Sequence, residues 1–195
     1  MMFNNVGNMG IPLILLAFGD EFLAIAVVCF VVEMTLHFSL GIFMINPKMR
    51  LISILKQPVM IATIAGFTIA LSGLQLPSSV HLPIDMLGQI CIPLMLFTLG
   101  IRLTNIAFDD WKVGLIGAIL CPISGILMAV AAQVLLKLPL EQYAVLIVFG
   151  ALPPAVLNYM VAEQYQQEPK RVASIVLIGN LMALISIPIT LAFVL

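Results

Sequence analysis

The sequence predicts an all-α membrane protein of about seven spans, two of them broken near their middle. Three observations point there: the composition, the spacing of the charges, and two proline-bearing interruptions in otherwise apolar runs. Of 195 residues, 63% are hydrophobic and 9% charged, and the mean hydropathy is +1.21. Those are values of a polytopic membrane protein, not of a soluble domain. Between the charges lie apolar runs at 1–19, 22–45 (interrupted by Glu33), 57–76, 82–101, 113–136, 142–162 and 172–195. Most approach the ~20 residues that a bilayer-crossing helix needs.

The first span carries Asn5-Val6-Gly7-Asn8-Met9-Gly10-Ile11-Pro12, a polar, glycine-rich run ended by proline. Unwound backbone in hydrocarbon leaves N–H and C=O groups unpaired at a cost of several kcal/mol each, so such a run must face protein, water or a ligand. That is the mark of a transporter's broken helix. The second span holds Glu33, the one carboxyl group in mid-span, which would cost at least ~2.5 kcal/mol to bury charged. His37 follows one helical turn later on the same face, where the two could share or relay a proton. The alternative is a Glu-His hydrogen bond that only joins helices.

The third and fourth spans are linked by Ser78-Ser79-Val80-His81-Leu82-Pro83, which places His81 in solvent, and Asp109-Asp110-Trp111-Lys112 anchors the fifth at the headgroup level. The sixth span contains Ala151-Leu152-Pro153-Pro154-Ala155-Val156-Leu157-Asn158. In the seventh, Asn180 suits a helix-to-helix hydrogen bond. Cys29, Cys91 and Cys121 lie within spans, are odd in number, and read as small packing residues.

Lys48, Arg50, Lys56, Arg102, Lys112, Lys170 and Arg171 fall in alternate loops, and only Lys137 lies on the other side. Positive loops stay cytoplasmic, so the amino end is expected inside the cytoplasmic membrane and the carboxyl end outside. Sliding the chain against itself by 146 residues overlays the 151–158 run on residues 5–12 and the Tyr165-Gln166-Gln167-Glu168 turn on Gly19-Asp20-Glu21-Phe22. The first turn is outside and the second inside by the charge rule, so the two helix pairs are inverted. Counting back from the carboxyl end, residues 57–195 supply one complete five-helix repeat. Residues 1–45 supply the last two helices of another, and 46–56 form the cytoplasmic loop between them. Three helices of the first repeat are then missing, as in an amino-terminally truncated chain.

With those residues in place, the chain resembles the auxin efflux carrier family of membrane transport proteins. The run from Asn5 through Pro12 to Leu13 is similar to the family's fourth-helix motif. Ala151-Leu152-Pro153 with Tyr159, Ala162 and Tyr165 is similar to its ninth, and Pro93-Leu94-Met95-Leu96-Phe97-Thr98-Leu99-Gly100 to its seventh. The resemblance implies an inverted-repeat transporter of ten helices in a 5+5 fold, with the two broken helices crossing at the substrate site. Asn158 stands where the plant carriers have proline, so the second break is expected at Pro153-Pro154. The eleven-residue loop at 46–56 resembles the compact bacterial permeases.

Two broken helices aim free N–H groups and dipole ends at one spot, which suits a carboxylate. The expected substrate site is Asn5, Asn8, Gly10, Pro12, Pro153, Pro154, Asn158 and Tyr159, with Glu33 and His37 as candidates for proton coupling. The alternative is that Pro12 and Pro153 only kink packed helices. The expected function is secondary transport of a small organic anion such as a dicarboxylate, and the rival is a truncated, non-transporting membrane protein that needs partner helices or is inactive. Proton or sodium coupling and a homodimer in the bilayer fit the resemblance. No nucleophile triad, metal cluster or phosphate loop can be found, so no enzyme, cofactor, metal or nucleic-acid reading has residues to rest on.

Overall fold

The computed structural model describes residues 3–47, 56, 58–104 and 110–195. Most of the expected 46–56 loop, including Lys48 and Arg50, and Asp109 of the anchor lie outside the described residues. Among the described residues every named element is helical, and a single antiparallel residue pair, Asn4 with Pro154, is the one departure. After a short irregular stretch at residues 3–5, a π turn, Val6–Gly10, leads into α1 (Ile11–Phe18). Gly19, at φ +93°, and a 3-10 turn, Asp20–Phe22, start the second span. It runs through α2 (Leu23–Leu36), a second π stretch (His37–Gly41) and α3 (Ile42–Ile45). Then follow α4 (Pro58–Ser72), α5 (Ser78–Thr104), α6 (Trp111–Leu136), α7 (Leu140–Gly150), α8 (Val156–Gln164) and α9 (Pro169–Val194).

Each expected apolar run coincides with helix, and the sixth is split into α7 and α8 at residues 151–155. Asp20–Ile45, Trp111–Leu136 and Pro169–Val194, each of 26 residues, are long and apolar enough to cross a membrane, while Val6–Phe18, Met60–Ser72 and Leu140–Gly150 are apolar but shorter. The chain is an all-α membrane protein.

Two expectations need correction. The first break lies at residues 3–5, not across 5–12, because the chain is helical from Val6 onward. Pro12 is the reason the turn before α1 is wide: it has no N–H to return to the Asn8 carbonyl, and the Ile11 N–H instead bonds back to the Val6 carbonyl. Pro12 falls in the first turn of α1, where a missing N–H is tolerated. The internal register also shifts. The Asn4–Pro154 pair and the helix starts at Val6 and Val156 put equivalent positions 150 residues apart. That is about one helical turn from the sequence-derived 146, so faces are roughly kept while Asn8, not Pro12, becomes the counterpart of Asn158.

The core lies around the breaks. Ile14, Val145, Val148 and Leu152 are wholly buried, with Val6, Ile11, Phe149, Ala183 and Ile187 packed about them. The outer faces carry Leu135, Leu140 and Phe193, all strongly exposed, as expected of a protein whose solvent is hydrocarbon. Helices α6 and α9 form the largest helix pair, and α6 meets α7 where Gly125 faces Gly150. A methyl group on either glycine would strike the other's backbone, the small-residue contact that membrane helices use in place of a hydrophobic drive. Helix α4 packs on α2, where the Thr35 hydroxyl meets Met60 Sδ at 3.4 Å, and α5 passes beside Val6–Phe18 and α8.

Gly125→Ala should therefore cost about 1–3 kcal/mol, the usual range for overpacking. Gly66→Ala, whose added carbon meets nothing within 4 Å, should be neutral or stabilise by up to ~1 kcal/mol. Thermal unfolding of the two variants in detergent checks the contrast.

Candidate functional site

The two breaks cross. The Ala155 N–H donates to the Phe3 carbonyl at 2.8 Å and the Asn5 N–H to the Pro153 carbonyl at 2.8 Å, on either side of the Asn4–Pro154 pair. Three asparagine side chains complete the junction. Asn158 accepts the Phe3 N–H on Oδ1 at 3.1 Å and donates through Nδ2 to the carbonyls of Phe3 (2.8 Å) and Ala155 (3.0 Å). Asn4 donates through Nδ2 to the Phe149 carbonyl at 2.8 Å and more weakly to that of Gly150 at 3.4 Å. Those are last-turn carbonyls of α7, which the helix itself cannot satisfy. Asn180 ties α9 to the crossing, donating to the Pro154 carbonyl at 3.1 Å and to its own helix at Val176, 2.8 Å.

Helix polarity follows from this path. Val6–Phe18 and α8 both begin at the crossing and present N-termini to it, whereas α7 ends there. A cavity of about 270 Å³ is lined by Asn4, Asn5, Gly7, Asn8, Phe30, Met34, Ala155, Val156, Leu157 and Met160, so both helix starts open on it. Asn5 is 2% exposed and its Nδ2 has no partner. Asn8 is half-buried on the same wall. Among the described residues every lining side chain is neutral, and N–H groups and helix ends give the positive potential there.

A second cavity, of about 570 Å³, is lined by Asn4, Cys29, Glu33, Cys121, Ser124 and the end of α7, among others. Both carboxyl oxygens of Glu33 are buried without a hydrogen-bond partner. A third, of about 380 Å³, is lined by Phe3, His37, Met44, Asn158, Ala162 and Gln167, among others. His37 is 2% exposed, stacks on Phe3 with ring centroids 4.4 Å apart, and leaves Nδ1 unpaired.

The sequence candidates thus separate. Asn5 and Asn8 come together on the 270 Å³ cavity. Asn158 is buried at the crossing with its amide committed to Phe3 and Ala155. Pro153 and Pro154 form the second break, as expected; Pro154 is wholly buried against Gly179, where an added methyl carbon would lie 2.7 Å from its Cδ. Gly10 and Pro12 are packing positions: a methyl on Gly10 would meet Leu152 at 2.8 Å and Phe149 at 3.0 Å, and Pro12 is fully buried. Tyr159 lines none of these three cavities and donates its hydroxyl to Glu163 at 3.1 Å. Glu33 and His37 do not pair: they line different cavities, with the His37 ring held against Phe3. Asn4 and Phe3 escaped the sequence reading. The Asn4-Asn5 doublet was the signal, because successive side chains on a non-helical segment turn to opposite sides.

Crossed, irregular backbone buried at mid-protein, flanked by long apolar helices, defines the class as an all-α membrane transporter. A family model described as membrane transport protein matches residues 47–191, and the chain belongs to that family, the auxin efflux carriers. The matched stretch takes in the second break and leaves residues 1–46, with the first, outside it. Neither the curated proteins nor the solved structures gave a match.

Asn158→Ala removes three bonds that hold Phe3 and Ala155 and leaves the buried Phe3 N–H unpaired, at ~1–3 kcal/mol. Hydrogen exchange at the Phe3 and Ala155 amides should accelerate at least tenfold relative to wild type, while the amides of the α6–α9 pair keep their protection.

Proposed function

We propose that the protein is a secondary transporter that carries a small organic anion, such as a dicarboxylate, across the cytoplasmic membrane, with the 270 Å³ cavity as its substrate site. One observation carries this reading: two helix N-termini and Asn5, whose Nδ2 has no partner, line one partly open cavity. Oriented N–H groups and a neutral amide hold an anion without the tight grip of a fixed cation, which suits a site that must also release. The volume favours a molecule smaller than a typical drug-sized ligand. Asn8 is the second side-chain donor on that wall, and Asn158 and the proline pair position the helix starts around it.

In this reading residues 1–45 and 57–195 are two inverted units, with the 46–56 loop between them on the cytoplasmic side. The amino end is then inside and the carboxyl end outside, in keeping with seven of eight basic residues falling on one side. Substrate is moved by elevator or rocking motion of the crossed helices, in a bilayer-embedded homodimer.

Calorimetric titration of the purified protein with malonate and malate tests the site. Asn5→Ala should weaken binding by tenfold or more, the loss of a charge-assisted hydrogen bond worth ~1.5–3 kcal/mol. Tyr159→Phe should leave it within twofold. Equal affinities in wild type and Asn5→Ala would sink the assignment.

A further inference from the structure

Glu33 is a buried ionisable group that the anion site leaves unused. It projects from α2 into the 570 Å³ cavity beside the Asn4 segment, where the Asn4 main-chain N–H faces it but neither oxygen closes a hydrogen bond of good geometry. The groups facing it are Cys29 from its own helix, Cys121 and Ser124 from α6, Asn4 from the crossing, and the apolar end of α7. Among the described residues the cavity wall carries no lysine, arginine or histidine to balance a carboxylate. A bare carboxylate in such a place is costly.

A metal or sodium ion would need several oxygen ligands converging on one point, and the oxygens near Glu33 already take part in hydrogen bonds within the protein. The Phe149 and Gly150 carbonyls accept from Asn4 Nδ2, and Asn4 Oδ1 accepts the Cys121 thiol at 3.2 Å. The Ser124 hydroxyl donates to the Cys121 carbonyl at 2.9 Å. Among the described residues no group of three His, Cys, Asp or Glu side chains gathers at one point. A single carboxyl group can take up and release one proton.

We propose that Glu33 is the coupling group of the transporter, taking up one proton with each anion bound and giving it back when the anion leaves, without His37. The proposal rests on the anion-site reading above. Asn4 lines both cavities, so the two ligands sit on opposite sides of one segment. An ionised Glu33 would oppose an anion across that low-dielectric wall, and protonation removes the opposition. By linkage the anion then favours proton uptake to the same degree. The step makes and breaks only the O–H bond of the carboxyl group, with the proton exchanged with water at whichever mouth of the cavity is open.

The protein is reconstituted in liposomes with labelled malonate as the probe. Two rates are measured: accumulation driven by an acid-outside pH gradient, and exchange at equal pH. In wild type the gradient should drive accumulation. In Glu33→Gln the ratio of driven accumulation to exchange should fall at least tenfold, whereas His37→Gln and the exposed-site control Glu141→Gln should keep it. A Glu33→Gln ratio equal to wild type overturns the proposal, as does accumulation driven by sodium at equal pH. Infrared spectroscopy gives a reading independent of transport. A protonated carboxyl C=O band should grow in wild type when malonate is added at neutral pH and be missing in Glu33→Gln, and a wild-type spectrum that malonate leaves unchanged in this region also overturns the proposal. The Asn5→Ala titration reports on the anion site and these ratios on the proton, so failure of one is distinguishable from failure of the other.

Discussion

Backbone polar groups have no water to turn to inside a bilayer, and the junction of residues 3–5 with 153–155 is where this protein meets that constraint. Two backbone bonds join the segments, too few to satisfy a break in two helices. Asparagine supplies the remainder because one amide both donates and accepts. Asn158 takes both main-chain groups of Phe3, Asn4 takes carbonyls at the end of α7, and Asn180 takes the carbonyl of Pro154. The positions of the helix starts, and of the cavities they open on, follow from that junction.

The electrostatics divide along the same line. Two helices begin at the crossing and one ends there, so one side is rich in unsatisfied donors and the other in acceptors. Asn4 caps the acceptor side with its amide hydrogens. On the donor side Asn5 adds a further N–H group that has no partner among the described residues. The carboxyl group of Glu33 lies in the neighbouring cavity, and among the described residues no salt bridge neutralises it. Elsewhere charges pair in the ordinary way at helix ends, as Arg171 does with Asp110 at 3.4 Å and Glu168 at 2.9 Å.

Much of this was legible in the sequence because hydrocarbon enforces simple rules. Apolar runs separated by charges gave the helices, and the Pro153-Pro154 pair gave the second break, since proline removes a donor that a mid-span helix needs. The first break was misplaced because glycine and proline after Asn5 suggested unwinding, whereas a π turn absorbs Pro12 within a continuous helix. The 146-residue register failed for a related reason: it aligned prolines, and the prolines play different parts in the two halves. Asn158 could be found as a buried polar residue, but not that its amide is directed at the backbone 155 residues away. The separation of Glu33 from His37 was likewise illegible. Helical spacing puts them on one face, and only tertiary packing turns the imidazole onto Phe3.

The Asn158 clamp on Phe3 has a mechanical consequence. Opening the crossing by local unwinding would strand several main-chain groups in a dry interior at once, so the junction behaves as a rivet rather than a hinge. Any displacement that exposes its two faces in turn must carry both segments together with α7, α9 and α1, which are packed around them.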